Sequence, residues 1–502
     1  MRWSPRRGVL AVVTAALLVA AGPLLAAQAF GPNVLYAPNP GDCRRVSCVT
    51  YVKSAQLPSG KIVASFEDDS QDYNGQVWPI WSSTDDGRSW SRTSEVPDTH
   101  RGWGNWTNPF FYVLPQPIGG MPAGTLLLAG ISAPPDRSRT AVEIYKSTDE
   151  GVTWSFLSEV AVGGAENGTP VWEPYLLVAG GKLICYYSDE RDKARHNQKL
   201  VHQVSTDGVS WGPVVEDVAL ADSRLRPGMP VVTRMANGQY IMTFEVVGAP
   251  GVPNNFKISA DPESWSPKKV GTTIDYGGSP VITTLPNGRL AYNSYDSGDI
   301  RINTGNGTGP WTKVGTNMPV GYSRMMQYVR GTGRMLVLSV DGFWSSTTNV
   351  VRAGDVDLGY STGPYYTLVN VKSAKVLDAS QASLQDGGSV IQWTNTGAAN
   401  QQWHVSDVGG GYRAILNRNS GRAVSIEAGS TADGAPAIQW VENNGDDQDW
   451  QLVPSGSSYK LVNRQSGKLL TVSQGSTSDG AAVVQWPDRG LTEQLWTLVP
   501  VS

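Results

Sequence analysis

Ser83-Thr84-Asp85-Asp86-Gly87-Arg88-Ser89-Trp90 is the stretch from which the fold can be read. It returns as Ser147-Thr148-Asp149-Glu150-Gly151-Val152-Thr153-Trp154, and one residue shorter as Ser205-Thr206-Asp207-Gly208-Val209-Ser210-Trp211. Worn versions occupy 259–265 and 303–311. Each residue type has a physical task in a tight turn. The Asp carboxylate accepts backbone N–H groups inside the turn, and Gly supplies the positive φ. The Trp offers a large apolar face to pack between neighbouring sheets. The motif therefore predicts a recurring hairpin with a scaffold role.

A second pattern runs between these hairpins. Six times from about 30 to 360, an alternating apolar run meets a Gly turn and a second apolar run follows. The turns are Leu57-Pro58-Ser59-Gly60, Met121-Pro122-Ala123-Gly124, Val178-Ala179-Gly180-Gly181, Met235-Ala236-Asn237-Gly238, Leu285-Pro286-Asn287-Gly288 and Gly331-Thr332-Gly333. Six such units predict six four-stranded blades closed into a β-propeller, which leaves no long sheet edge exposed. The strand before each Gly turn is expected to line the central funnel. The S-x-D-x-G-x-x-W element resembles the Asp-box of sialidase-like propellers, where it is scaffold placed away from the active site.

From 364 the pattern changes to three units of about 46 residues, as repeat architectures do. Each has Asp-Gly, an apolar run ending in Gln-Trp, and a downstream Gln-x-Trp. They contain Asp386-Gly387, Gln392-Trp393 and Gln401-Gln402-Trp403; then Asp433-Gly434, Gln439-Trp440 and Gln448-Asp449-Trp450; then Asp479-Gly480, Gln485-Trp486 and Gln494-Leu495-Trp496. This threefold repeat resembles the ricin B-type β-trefoil, carbohydrate-binding family 13. The fold class is thus all-β, a six-bladed β-propeller followed by a β-trefoil. The expected division is a secretory signal over 1–29, the propeller over 30–361 and the trefoil over 364–502. The junction over 359–365 is short, so the two domains are expected to pack together.

Composition narrows the classes of function. With 40 basic and 44 acidic residues and a net charge of -4, the chain carries no electrostatic footprint for nucleic acid. Arg2, Arg6 and Arg7, an apolar run over 9–21 and Ala27-Gln28-Ala29 read as a cleaved export signal. No other apolar run is long enough to span a membrane. The expected product is a secreted monomer without a membrane partner. Cys43 and Cys48 are close enough to pair in an oxidising compartment. Cys185, in Lys182-Leu183-Ile184-Cys185-Tyr186-Tyr187, is expected to be a buried thiol. No cofactor is expected. His196 and His202 lack metal-ligand spacing, and no phosphate loop, dinucleotide fingerprint or G-x-S-x-G is present.

A glycosidase needs two carboxyl groups acting together. Glu173 lies in Pro170-Val171-Trp172-Glu173-Pro174-Tyr175-Leu176-Leu177, the inner strand of the third unit, where an idle charge is costly. Glu245 lies in Tyr240-Ile241-Met242-Thr243-Phe244-Glu245-Val246-Val247, seven residues past the fourth Gly turn. The same slot of the first unit holds Glu67. Equivalent slots share a face, so Glu67 and Glu245 are both candidates for the funnel. A structural ion pair is the alternative for each.

Trp172-Glu173-Pro174-Tyr175, Tyr186-Tyr187-Ser188-Asp189-Glu190-Arg191-Asp192, Arg226-Pro227-Gly228-Met229-Pro230 and Thr243-Phe244-Glu245 together resemble glycoside hydrolase family 93, the exo-α-1,5-L-arabinanases. The resemblance spans most of the propeller. It implies a retaining enzyme that releases arabinobiose from the non-reducing end of linear arabinan, with Glu173 as nucleophile and Glu245 as acid/base. Asp189, Arg191, Arg226, Tyr322 and Ser323 are candidate sugar contacts, with Trp172 and Tyr187 as candidate stacking faces. The trefoil resemblance implies a sugar site at Asp378, Trp393 and Asn400. The second and third repeats replace that Asp by Ser425 and Thr471. A plant-wall polysaccharide is the expected partner. Two other readings stay open: a sialidase, for which no arginine triad can be assigned among Arg226, Arg324 and Arg330, and a non-catalytic double lectin.

Overall fold

The structure, a computed structural model, describes residues 30–501 except 40, 46, 287, 296, 331, 342–348, 359–364 and 444. The expected export signal and most of the domain junction lie outside the described residues. Six four-stranded antiparallel sheets follow one another through the first part of the chain. Their inner strands are Val49–Gln56, Asn105–Val113, Val171–Ala179, Arg226–Arg234, Val281–Thr284 and Met325–Val329, and each touches the next around a ring. The ring is closed by the start of the chain. Asn33–Tyr36 pairs with Val351–Val356 as the outer strand of the sixth blade. Second strands such as Ile62–Asp68, Leu126–Ser132 and Arg334–Val340 are buried at every position, because each blade packs between two others.

The Gly turns join inner to second strands, as the sequence predicts. The Asp-box turns join third to fourth strands at the same end of each blade. In the first, Asp85 accepts from Ser89 N–H at 2.9 Å and Trp90 Nε1 donates to Gly87 O at 2.8 Å. The second repeats this at Asp149 and Trp154. These turns sit opposite the funnel end described next.

Near that funnel end the backbone of every blade makes the same break. Tyr51, Asn108, Glu173, Met229, Ser279 and Ser323 all have φ between 51° and 58°. Pairing register slips at the first four. Pro109, Pro174, Pro230 and Pro280 follow four of the six. A non-Gly residue in this region is strained by about 1–2 kcal/mol, so the bulge must be held by its surroundings. The break turns backbone N–H groups toward the preceding blade. Glu173 N–H donates to Asn108 Oδ1 at 3.3 Å, Met229 N–H to Glu173 Oε2 at 2.7 Å, and Ser323 N–H to Ser279 Oγ at 2.5 Å.

The C-terminal part is the threefold barrel. Trp403, Trp450 and Trp496, the Gln-x-Trp tryptophans, are fully buried in one core. Their Nε1 groups donate to Leu377 O, Val424 O and Leu470 O, each at 2.9 Å, which repeats one contact three times. The barrel docks on the Gly-turn ends of blades four to six. Arg234 pairs with Asp386 at 2.6 Å and lies over the Trp440 ring. Glu442 N–H donates to Pro286 O, and Tyr365 OH to Arg330 O.

Candidate active site

The funnel end opposite the trefoil opens into a cavity of about 780 Å³ lined by residues of blades one to four and six. Glu173 and Glu245 both face it, one from the break in the third inner strand, the other from the end of the fourth blade's second strand. Between them stands Gly228. A Cβ there would be 3.3 Å from Glu173 Oε2 and 3.5 Å from Glu245 Oε1, so only a glycine leaves the gap open.

The two carboxyl groups have different surroundings. Glu173 Oε2 accepts from Ser188 Oγ and Met229 N–H, both at 2.7 Å, while Oε1 has only the long 3.4 Å contact from Tyr51 OH. Glu245 Oε2 accepts one bond, from Ser279 N–H at 2.6 Å. Burial raises both acids above the usual range, and the Glu173 charge adds to the effect on Glu245, which is pushed up to about 7. The richer donor set favours the charge on Glu173. Glu245 is therefore the acid of the pair that keeps its proton up to about pH 7, and its Oε1 lies toward Glu173 across Gly228.

Glu67 also lines the cavity. Its Oε2 accepts from Thr50 Oγ1 at 2.8 Å and from Thr107 Oγ1. Burial, with Asp69 beside it, pushes it up to about 8. Below the cavity, Lys53 Nζ is buried in the central channel and donates to Ser323 Oγ at 2.6 Å and to backbone oxygens. Burial lowers it to about 7.

The other candidate residues divide. Trp172, Arg226 and Tyr322 line the cavity. Arg226 bonds Glu190 at 2.6 Å and Gln198 at 2.7 Å, and Trp172 Nε1 donates to Glu190. Tyr187 does not reach it. That ring is fully buried in the wall between blades two and three, with its OH donating to Gln203. Asp189 and Arg191 pair with each other at 2.9 Å instead of lining the cavity. Ser323 faces the channel below and serves the backbone ring and Lys53. Arg324 holds Asn293 and Ser297 O, and Arg330 holds Leu57 O, so neither joins Arg226 in a triad. The sequence reading passed over Tyr51, Trp106, Thr107 and Asn108. The recurring X-Pro step on the inner strands is the signal that would have found Asn108. Cys43 and Cys48 are bonded, and Cys185 is a buried free thiol.

In the trefoil, Asp378 accepts from Asn400 Nδ2 at 3.1 Å and Gln401 Nε2 at 2.8 Å, while Trp393 is 42% exposed. In the second repeat Ser425 Oγ donates to Asp447 at 2.6 Å, an exchange of acid and partner, and Arg234 lies over Trp440.

Comparisons with known proteins follow the same division. A family profile described as ricin-type beta-trefoil lectin domain-like matches residues 355–440 and 446–502. Among solved structures, an α-L-arabinanase of Penicillium chrysogenum complexed with arabinobiose is 37% identical, with a TM-score of 0.62. That match covers 66% of this chain and 99% of the other. The GH93 α-L-arabinofuranosidase of Fusarium graminearum, also complexed with arabinobiose, is 34% identical with a TM-score of 0.62, covering 66% of this chain and 98% of the other. Comparison with curated protein sequences gives no match. With near-complete coverage of relatives more than 30% identical, and two glutamates facing one cavity, the chain belongs to glycoside hydrolase family 93 and carries a ricin-type trefoil in addition.

Proposed function

We propose that the protein is a secreted, monomeric, retaining hydrolase that releases arabinobiose from the non-reducing end of linear α-1,5-L-arabinan. The observation that carries this reading is the Glu173–Gly228–Glu245 arrangement. The near oxygens, Glu173 Oε2 and Glu245 Oε1, lie 3.3 and 3.5 Å from one point, so they are at most about 7 Å apart, a bound that takes in the whole retaining range and only the lowest part of the inverting one. Retaining pairs stand about 5–5.5 Å apart, whereas inverting pairs need about 6.5–9.5 Å for a water between them. Complexes of both relatives with arabinobiose support the substrate. The basic-then-apolar start of the chain supports export.

In the first step Glu173 Oε1 attacks the anomeric carbon while Glu245 Oε1 gives its proton to the departing glycosidic oxygen. The C–O bond breaks, and a glycosyl ester forms on Glu173. In the second step Glu245, now a carboxylate, takes a proton from water. The water oxygen attacks the anomeric carbon, the ester breaks, and both acids return to their starting state. The trefoil holds the enzyme on polysaccharide and raises the local concentration of chain ends.

The test is digestion of debranched arabinan by the purified protein, beside a Glu173→Gln variant. Arabinobiose as sole early product, with none from the variant, is the expected result. No release of arabinose or its oligomers would sink the reading.

A further inference from the structure

We infer that the end of the cleft farthest from Glu245 is a built wall, in which the Arg45–Glu166 ion pair stops the sugar chain and sets how many residues are released. This rests on the proposed glycosidase reading. Glu245 protonates the leaving oxygen, so the departing chain lies toward blade four. The retained sugars must then extend away from it, across Glu173 of blade three toward blades two and one. In a ring of six, that is the opposite side.

Three loops meet there. Arg45 stands in the segment bridged by Cys43 and Cys48. Its Nη1 and Nη2 bond both oxygens of Glu166, at 2.8 and 3.0 Å, in the connection between blades two and three. Arg45 and Glu166 both line the cavity. An exposed ion pair by itself contributes little, but a bidentate one packed on aromatic rings is held in place. Arg45 lies 4.8 Å from the centre of the Trp106 ring, and Arg137 lies 4.0 Å from it. Arg137 is tied in turn to Gln76 Oε1 at 2.7 Å on the blade-one loop. The pair thus spans blades one to three and cannot swing aside without leaving the indole.

The chemistry of this wall suits a chain terminus. The Arg45 and Glu166 side chains are each about one-third exposed, at 29% and 34%. They present donors and acceptors together, the pattern that terminal sugar hydroxyls satisfy. The wall also explains why a cleft with an acid on one side attacks from the end rather than the middle.

The experiment compares wild type with Arg45→Ala, Glu166→Ala and the near-isosteric Glu166→Gln on debranched arabinan, following early products by length. Circular dichroism and thermal unfolding show whether each variant keeps its fold. We expect both alanine variants to release oligomers longer than the wild-type product as early products, with KM raised more than kcat is lowered. Glu166→Gln, which keeps the bulk, should shift the length less. A wild type with one product size shared by all variants would overturn the wall while leaving the activity standing. A wild type inactive on arabinan would remove the substrate reading and this assignment with it.

Discussion

In the proposed reaction Glu245 must carry a proton and Glu173 must not, so the two acids bear on the rate at opposite ends of the pH range. Glu245, raised to about 7 by burial and by the neighbouring Glu173 charge, must be protonated for the first step. Its proton is lost as pH rises, so kcat/KM should fall above about pH 7. At low pH Glu173 gains a proton and the nucleophile is lost, giving a bell-shaped profile. Glu245→Ala should lower kcat/KM by about 100-fold or more on natural substrate, the usual scale for general acid–base catalysis. On an aryl glycoside whose leaving group departs without a proton, Glu173 still forms the glycosyl ester, and added azide should then attack the anomeric carbon, release Glu173 and give a glycosyl azide. A flat pH profile between 5 and 9 would contradict the assignment. Away from the site, Glu143 is fully buried, with Oε1 unpartnered and Oε2 accepting from Tyr145 OH at 2.8 Å. Burial and the nearby Asp98 push it up to about 8. Because its folded pKa is raised, it favours the fold fully only below its unfolded pKa. That contribution fades as pH climbs through about 8. Glu143→Gln should therefore match wild type at pH 5 and melt higher than wild type at pH 9, as read by scanning calorimetry.

The repeating element is the broken inner strand. Six left-handed residues at one level of the ring convert an ordinary hairpin into an inward-facing pedestal, and the N–H groups they turn do chemical work. Met229 N–H and Ser279 N–H hold the two catalytic candidates. The turn that leads into the fifth inner strand is equally tight. Gly278 has φ +81°, and a Cβ there would meet Glu245 Oε2 at 2.6 Å. Gly278→Ala should displace that carboxyl group and lower kcat by about tenfold or more, which corresponds to about 1.4 kcal/mol of lost transition-state stabilisation. Steady-state kinetics with the melting temperature measured alongside separates this from unfolding. The strands themselves were legible from alternation and Gly turns. The breaks were not, because a left-handed non-Gly residue has no compositional mark, and only its Pro neighbour in four of six blades hints at it. Tyr187, Asp189 and Arg191 were misplaced for a related reason. Tyr187 and Asp189 share the strand Lys182–Asp189 with Ser188, which does reach Glu173, and Arg191 lies in the turn just after it. Period-two alternation names which side chains are neighbours but not which face meets the funnel.

At the scale of the molecule, the trefoil sits on the floor of the propeller and spends one of its three platforms on docking. Arg234 covers Trp440 and pairs with Asp386, which also bonds Arg422 at 2.8 Å. Trp393 stays exposed beside the Asp378–Asn400 pair. Trp393→Ala should abolish retention on insoluble polysaccharide while leaving kcat/KM on soluble oligosaccharide unchanged, as read by pull-down and kinetics. Arg234→Ala should lower the melting temperature by a few degrees and leave turnover intact, because the interface lies at the opposite end from Glu173.

The sequence by itself determined the architecture. Asp-boxes, Gly turns and Gln-x-Trp repeats are local patterns whose turn geometry and buried aromatics have few other uses. They specify blades and barrel without reference to distant residues. It also brought forward Glu173, Glu245 and Glu67 as costly carboxyl groups on apolar strands, and the resemblance to family 93 singled out the first two as the catalytic pair. Tertiary structure alone decided which groups meet. Gly228 between the acids, the asymmetric donor sets that separate their protonation, the Arg45–Glu166 span across three blades and the capping of Trp440 by Arg234 all join residues far apart in sequence. Their contact depends on how six sheets and a barrel are turned about one another, which no local pattern encodes.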